Sequence, residues 1–250
     1  MITRECPMCG VTTEGASIEA FGDAWMVHCA EAHADLPFPP AAVRNYGEGL
    51  ARTTGGTERL EAIGPVEIHP VTEDRIEDWL RLFDHDAFAG KPEWSGCYCL
   101  EPHEAAPGAP PPEWTGWRAR RQQMIDRLRA GSTSGYLAYV EGRPAGWVNA
   151  SKRCDYTLFR RGDADDHATV GVSCFTIAPP YRGHGIATRL LDRVVADAAA
   201  RGASWVEAYP FNANSDDPGP EFRGVRSLYD ERGFTEVKVR QRDTVVRRPV

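Results

Sequence analysis

The sequence lacks any apolar run long enough to cross a membrane. Residues 1–7 hold no apolar signal segment, and no later stretch stays apolar over the roughly 18 residues that a membrane helix needs. An excess of positive charge is also missing, because 36 acidic residues outnumber 29 Lys and Arg residues and the formal net charge is -7. A broad nucleic-acid interface needs clustered cations, whereas an acidic surface attracts small cationic or amine ligands. We therefore expect a cytoplasmic protein that binds neither membranes nor nucleic acids.

Internal repeats are absent too, and 250 residues are enough for one large domain with a smaller module beside it. The chain has seven cysteines, which in a cytoplasmic protein favour reduced thiols or metal ligands over a disulfide framework. We expect three parts: a small module over residues 1–38, a linker helix within 39–64, and a large domain over 65–250.

Four potential zinc ligands lie in the opening segment. Cys6 and Cys9 are spaced to flank a tight turn, and His28 and His33 follow in a run whose apolar residues recur at helical spacing. Two thiolates and two imidazoles at these spacings can close a tetrahedral zinc site. Cys29 is an alternative to His28 as a ligand, and the competing interpretation is that all these side chains are incidental. The sequence favours a structural zinc ion in a finger-like module.

Strand and helix patterns alternate through the large domain. The expected strands cover 66–70, 136–140, 145–150, 167–177, 204–209, 234–240 and 244–248, and the expected helices cover 72–83, 117–128, 186–198 and 226–231. This order predicts an α/β (α+β) domain.

Two loops interrupt this pattern, over 88–112 and 211–224, and either could select a ligand. The first is expected to be a lid or an ordinary packed loop, and Cys97, Cys99 and His103 give it a weak second metal signal. In the second loop, Asp216, Asp217 and Glu221 could attract a cation or form a solvated acidic surface.

The stretch Arg182-Gly-His-Gly-Ile-Ala187 lies between a strand pattern and a helix pattern. Such a turn leaves N–H groups free at the positive end of a helix and makes a pocket for a pyrophosphate. The turn of nucleotide hydrolases would need Gly-Lys followed by Ser or Thr, which is absent. The dinucleotide turn would need Gly or Ala in place of Thr188 and would follow the first strand of its domain. Neither of these two phosphate-binding turns matches.

The remaining pattern is Arg182-x2-Gly185-x-Ala187, preceded by Phe175-x-Ile177 and followed by Tyr229-x3-Gly-Phe. It resembles the GNAT superfamily of acyl-CoA-dependent N-acetyltransferases, and the resemblance runs from about residue 66 to the C-terminus. The resemblance implies the GNAT fold, with a mixed, mostly antiparallel central sheet flanked by helices. The N-terminal module lies outside this common fold. Phe222 and Val225 depart from the family, which often has Asn and Ala there.

The resemblance also implies where the co-substrate acetyl-CoA binds. In the family, the strand before the turn splays from its neighbour, and its free backbone groups pair with the pantetheine arm. Phe175 and Ile177 would make these contacts here, and the turn would hold the pyrophosphate. The turn residues in question are Arg182, Gly183, His184, Gly185, Ile186 and Ala187.

Acetyl transfer needs a neutral amine, yet an alkylamine with a pKa near ~10.4 is protonated at neutral pH. Glu207 is the first candidate for the base that removes the proton, and a purely structural carboxylate is the competing interpretation. Asp165, Asp166 and His167 are alternative bases. Tyr229 matches the family position whose hydroxyl protonates the departing CoA thiolate.

We therefore expect direct acetyl transfer from acetyl-CoA to a primary amine of a small molecule, through a tetrahedral intermediate. An acyl-enzyme on Cys174 is disfavoured, because a strand cysteine is usually a small core residue. Two alternatives stay open: a protein or peptide acetyltransferase that docks substrate through the zinc module, and a non-catalytic acyl-CoA sensor. The partners considered for this chain also include a second copy of itself, in a homodimer.

Overall fold

The N-terminal part of the protein is a β-hairpin followed by two packed helices. The computed structural model describes residues 1–104, 116–212 and 221–250. The bounds of the first elements are β1 (Ile2–Glu5), β2 (Thr12–Gly15), α1 (Ile18–Ala32) and α2 (Pro40–Arg52). Ser17 caps α1, because its hydroxyl oxygen accepts a hydrogen bond from the Ala20 N–H. The helix expected in the linker is confirmed as α2.

Helix α2 packs against α1 around the indole of Trp25. A Cβ at Gly47 would come within 2.7 Å of Trp25 side-chain carbons, so glycine at this position lets the two helices approach closely. Tyr46 stacks on Trp25 with 5.6 Å between the ring centroids, and Phe21 is buried beside them. The helix expected as a linker thus shares the apolar core of the N-terminal module.

A seven-stranded mixed sheet forms the centre of the remaining chain. In spatial order its strands are β3 (Val66–Pro70), β4 (Gly135–Val140), β5 (Arg143–Lys152), β6 (Thr169–Ile177), β7 (Trp205–Ala208), β9 (Thr244–Pro249) and β8 (Thr235–Val239). The β6–β7 pair is parallel, and every other pair of neighbours in this sheet is antiparallel. The predicted mixed, mostly antiparallel sheet is confirmed.

Helices cover both faces of this sheet. They are α3 (Ile76–Arg81), α4 (Glu101–Glu104), α5 (Trp117–Arg129), α6 (Ile186–Ala198) and α7 (Arg226–Asp230). Neighbouring residues of a strand face opposite sides of a sheet, and Trp147 and Val148 of β5 show the two sides. Val148 joins the core formed by Leu190 and Val194 of α6, while the Trp147 ring lies 6.0 Å from that of Trp79 in α3. Within the described ranges, none of the helices has the length and apolar content of a membrane span.

Two segments differ from the sequence-based expectation. The helix predicted over 72–83 is shorter, because a 3-10 turn precedes α3 and a π-helical turn (Leu82–Asp86) follows it. The loop predicted over 88–112 contains a 3-10 turn (Pro92–Trp94) and the short helix α4. Residues 105–112 of this loop lie outside the described residues.

Candidate active site

The parallel strands β6 and β7 separate partway along β6. Their pairing covers Thr169–Val172, whereas β6 stays paired with β5 as far as Ile177. The Ala178 N–H donates to the Ala145 carbonyl on the β5 side. Successive residues of a strand turn their backbone polar groups to opposite edges, so Ile177 and Phe175 direct theirs to the edge that β7 leaves open. This arrangement supports the backbone contacts predicted for both residues.

The glycine turn follows this open edge directly. Gly183 and Gly185 have φ angles of 78° and 74°, in the left-handed region that favours glycine. Gly185 is the N-cap of α6, which runs for 13 residues. Among the described residues, the N–H groups of 183–187 donate to no backbone carbonyl. Free N–H groups at the positive end of a helix can bind an anion, and the pyrophosphate contact expected of this turn stays a prediction.

Two side chains of the turn are engaged within the protein. The Arg182 Nε donates to the carbonyl oxygen of Ile177 at 2.9 Å, so this arginine ties the turn to the open edge. The His184 Nε2 lies 2.9 Å from the carbonyl oxygen of Leu60, a residue of the segment that leads from α2 to β3. The roles predicted for Arg182 and His184 in cofactor binding stay predictions.

Tyr229 lies beside the middle of β6. Its side chain is fully buried, and its hydroxyl donates to the backbone carbonyl of Arg223. A Cβ at Gly224 would come within 2.9 Å of the hydroxyl oxygen, so the chain passes unusually close to it. Burial, with a smaller contribution from the Cys174 thiol of β6, raises the pKa of Tyr229 well above its usual range. The hydroxyl therefore stays protonated at neutral pH, and burial also makes it a weaker acid. The role of Tyr229 as proton donor stays a prediction.

Glu207, the first candidate base, sits at the centre of a buried ion-pair cluster. Its Oε2 accepts from Arg161 at 2.9 Å, from Arg247 at 3.0 Å and from Arg153 at 3.3 Å. The Tyr209 hydroxyl donates to its Oε1 at 3.0 Å, and no part of the residue is exposed. Both carboxylate oxygens are occupied and out of reach of an amine. The geometry favours the structural role of Glu207 over the predicted role as a base.

The alternative bases belong to the same cluster or face away from the open edge. Burial would raise the pKa of Asp166, but hydrogen bonds from the 161–162 backbone and from Arg153 outweigh it and lower that pKa. Asp165 pairs with an arginine of β9 at 3.1 Å, and His167 is exposed. These residues precede the first residue of β6, whereas the glycine turn follows its last. The structure thus does not support these three residues as bases.

The loop after α3 contains two residues with strained backbone and is held in place by a buried arginine. Tyr98 and Cys99 have φ angles of 47° and 56°, which are costly for residues other than glycine. Arg52 of α2 is 4% exposed, and its Nη1 donates to the Tyr98 hydroxyl at 2.5 Å while Nη2 donates to the Ser95 carbonyl at 3.1 Å. Its guanidinium lies 4.1 Å from the Trp117 ring centroid. Sequence reasoning missed Arg52, because its hydrogen-bond partners lie 43 and 46 positions away.

The weak second metal site does not form. His103 directs Nδ1 to the Asp155 carbonyl oxygen at 3.0 Å and Nε2 to the Asn149 amide nitrogen at 3.0 Å, so both ring nitrogens are used. Burial raises the pKa of Cys97 to about 11, which keeps the thiol protonated and disfavours it as a metal ligand. Cys99 lies in the apolar core. The contacts of these three residues fit the packed-loop interpretation and not the metal site.

Aromatic rings from the loops over 88–112 and 211–224 pack together near the open edge of β6. The Phe222 ring lies 5.3 Å from that of Phe211 and 6.1 Å from that of Trp94. Apolar packing therefore replaces the polar side chain that the family often has at position 222. Asp216 and Asp217, expected to attract a cation, lie outside the described residues.

The predicted zinc ligands converge at the N-terminal hairpin. Ligand atoms of Cys6, Cys9, His28 and His33 all lie within 4.8 Å of one another, and no other such cluster occurs among the residues that the structure describes. The Cys6 Sγ lies 3.4 Å from the His33 Nε2, and the Cys9 Sγ lies 3.5 Å from the His28 Nε2. A tetrahedral zinc site with ordinary bond lengths has S···N edges of about 3.5 Å. The alternative ligand Cys29 is not a member of this group of ligand atoms.

Several solved structures are similar to this chain. The GNAT domain of S. lividans PAT is 16% identical, with a TM-score of 0.48 over 75% of this chain and 92% of that one. A PaiA N-acetyltransferase from Thermoplasma acidophilum, in complex with coenzyme A, is 13% identical, with a TM-score of 0.46 over 74% and 99%. A ribosomal-protein-alanine N-acetyltransferase from Brucella melitensis is 18% identical, with a TM-score of 0.46 over 74% and 99%.

The family assignment does not depend on these distant neighbours. No curated protein sequence matches the chain significantly. The model of the acetyltransferase (GNAT) family matches residues 93–234, which is more than half of the 250 residues. This match contains the open edge of β6, the glycine turn and Tyr229. The protein is therefore a member of the GNAT family of acetyltransferases.

Proposed function

We propose that this protein transfers an acetyl group from acetyl-CoA to a primary amine of a small molecule. The observation that carries the proposal is the continuity between the open edge of β6 and the glycine turn. An extended pantetheine arm could pair with the backbone of Phe175 and with the N–H of Ile177 in place of β7, while the Ile177 carbonyl accepts from Arg182. The pyrophosphate at its end would then reach the free N–H groups of 183–187.

Transfer in this arrangement is direct. The amine nitrogen attacks the thioester carbonyl carbon, and an N–H of the open edge near Phe175 stabilises the resulting oxyanion. The C–S bond then breaks as the tetrahedral intermediate collapses, and the CoA sulfur leaves as a thiolate. Tyr229 donates the proton that this thiolate takes up, after its hydroxyl releases the Arg223 carbonyl. The attacking nitrogen loses one proton to solvent water, and a proton from solvent restores the Tyr229 hydroxyl. Cys174 needs no covalent role, and its burial in an apolar cluster fits a core residue.

The acceptor is expected to have an apolar body next to its amine. Phe211, Phe222 and Trp94 come from the two loops assigned to acceptor selection, and their rings pack together. Because aromatic rings bind apolar groups and the faces of cations, this cluster favours a small amine with an aromatic or aliphatic side group.

The function is tested by calorimetry with acetyl-CoA and by assays of acetyl-CoA-dependent thiol release. The assays use a panel of small primary amines beside a panel of peptides with free amino groups. Turnover with small amines is the expected result, and a clear preference for peptides would instead favour the docking alternative. Binding without any transfer would favour an acyl-CoA sensor, and no binding would overturn the proposal. Arg182→Glu should weaken acetyl-CoA binding.

We also propose that Cys6, Cys9, His28 and His33 hold one structural zinc ion. Four protein ligands leave no open position for catalysis, so the ion would serve to fasten the hairpin to α1. Elemental analysis of protein purified without a chelator should find one zinc per chain. Cys9→Ser should lower this content, whereas Cys29→Ser should not. If elemental analysis finds no zinc in the wild-type protein, the proposal is wrong.

A further inference from the structure

The segment between α2 and β3 crosses the glycine turn. The Leu60 N–H donates to the Pro180 carbonyl oxygen at 2.9 Å, and the His184 Nε2 lies 2.9 Å from the Leu60 carbonyl oxygen. These two contacts fix the backbone of this segment on both sides of Leu60. The segment precedes residues 93–234, the region that matches the family model.

The neighbouring arginine lies against the middle of the turn. A Cβ at Gly183 would come within 2.9 Å of the Arg59 Nη1, so the guanidinium occupies the space beside the Gly183 backbone. Any side chain at position 183 would displace it. Arg59 is exposed, and among the described residues it takes part in no ion pair. An uncompensated cation therefore stands next to N–H groups that have no backbone acceptor.

We propose that Arg59 is a further donor-binding residue whose guanidinium contacts the pyrophosphate of acetyl-CoA. This inference rests on the function proposed above. The turn N–H groups offer partial positive charge, and Arg59 adds a full charge with a planar fork that matches phosphate oxygens. An exposed arginine usually loses conformational entropy when it binds. Here the two contacts of Leu60 hold the backbone in advance, which reduces that cost.

Acetyl-CoA carries a second phosphate group, on the 3′ position of its ribose. Binding through the pyrophosphate is distinguished from binding through the 3′-phosphate by comparing acetyl-CoA with the acetyl thioester of dephospho-CoA. This second thioester keeps the pyrophosphate and lacks the 3′-phosphate. The position of the Arg59 Nη1 beside Gly183 assigns it to the pyrophosphate. Removing Arg59 should therefore weaken binding of both thioesters by the same factor.

The test is calorimetry on wild type, Arg59→Ala, Arg59→Lys and the control Arg160→Ala. Arg160 is also an exposed arginine, in the segment before β6. Arg59→Ala should raise the Kd of both thioesters roughly tenfold, the loss typical of a charged hydrogen bond. Arg59→Lys should recover part of the affinity, and Arg160→Ala should leave it unchanged. Raising the salt concentration should weaken binding less in Arg59→Ala than in wild type, because salt screens exposed charges.

Two results would overturn the assignment of Arg59. One is an unchanged Kd in Arg59→Ala while wild type binds acetyl-CoA. The other is a loss that disappears with the dephospho thioester, which would move the contact to the 3′-phosphate. Thermal unfolding of each variant checks folding, and little change is expected for an exposed side chain. Failure of wild type to bind either thioester would instead overturn the proposed function.

Discussion

Arg153 and Glu207 form an ion pair in which neither side chain is exposed, with 3.3 Å between Nη1 and Oε2. Arg153 also binds Asp166 at 2.6 Å, and two further arginines reach the same Glu207 oxygen. Buried charges are tolerated only when they are paired, because one left alone is strongly destabilising. The cluster joins β7 to β9 and to the segment before β6, and so stabilises the end of the sheet away from the glycine turn.

Glu207→Gln should destabilise the protein more than it slows acetyl transfer. The change leaves buried guanidinium charges without their shared carboxylate, which costs about 3–5 kcal/mol. In a protein of this size the midpoint of thermal unfolding should fall by roughly 10 °C. Glu236→Gln is the control, because Glu236 forms an exposed ion pair with Arg226. A normal melting midpoint together with a lost rate and an altered pH–rate profile would restore Glu207 as the base.

Tyr229→Phe should leave acetyl-CoA affinity nearly unchanged and lower turnover roughly 100-fold, the size of effect expected for a lost proton donor. Calorimetry gives the affinity, and thiol release under saturating acetyl-CoA gives the turnover. Tyr209→Phe is a matched control, because it also removes a buried hydroxyl but one that donates to Glu207. It should lower stability and leave turnover per folded molecule intact. Equal turnover in wild type and Tyr229→Phe would exclude Tyr229 from the mechanism.

His103 makes folding stability sensitive to acid. Burial lowers the pKa of His103 to about 4, against 6.5 for the ordinary group. The unfolded chain therefore binds a proton between these values that the folded protein excludes, so stability falls as the pH drops below about 6.5. At pH 5 the loss from this group should be about 2 kcal/mol. Urea unfolding at pH 7.5 and pH 5 should show it in wild type and not in His103→Gln. An equal pH dependence in both proteins would contradict the assignment.

Local patterns in the sequence were sufficient for much of the fold. Strand β3 has the predicted bounds, Val66–Pro70, because alternation along a strand is a local signal. The Cys/His cluster was predictable for the same reason, since one pair flanks a turn and the other pair comes from α1 and the residue that caps its end. The glycine turn was also local, because Gly183 and Gly185 need no partner from elsewhere to adopt left-handed backbone.

Side-chain roles that depend on distant residues were not predictable in this way. The arginines around Glu207 lie 40, 46 and 54 positions away, so the strand pattern placed the carboxylate without showing what neutralises it. No local pattern marked Arg59 as a binding residue, because the segment around it is polar and glycine-rich, as an ordinary linker is. The burial of His103 between α5 and β5 could not be predicted from its neighbours in the sequence either, which indicated only a weak metal site.

Gly185 at the start of α6 and Gly202 after the 3-10 turn (Ala199–Arg201) that extends this helix offer a matched pair of substitutions. The pair separates anion binding from backbone strain. Gly185 and Gly202 have φ angles of 74° and 77°, and a Cβ at either position would meet nothing within 4 Å. Alanine should therefore cost about 1 kcal/mol of stability at each site, through strain in the left-handed region. The two melting midpoints should fall by similar amounts.

Acetyl-CoA binding should distinguish the two variants. Gly185→Ala places a methyl group among the N–H groups at the positive end of the helix and should raise the Kd for acetyl-CoA several-fold. Gly202→Ala lies at the opposite end, where carbonyl groups point outward and no anion is attracted, and its Kd should match wild type. Similar destabilisation with equal affinity in both variants would show that the pyrophosphate does not approach Gly185, because the added methyl group would then meet no ligand.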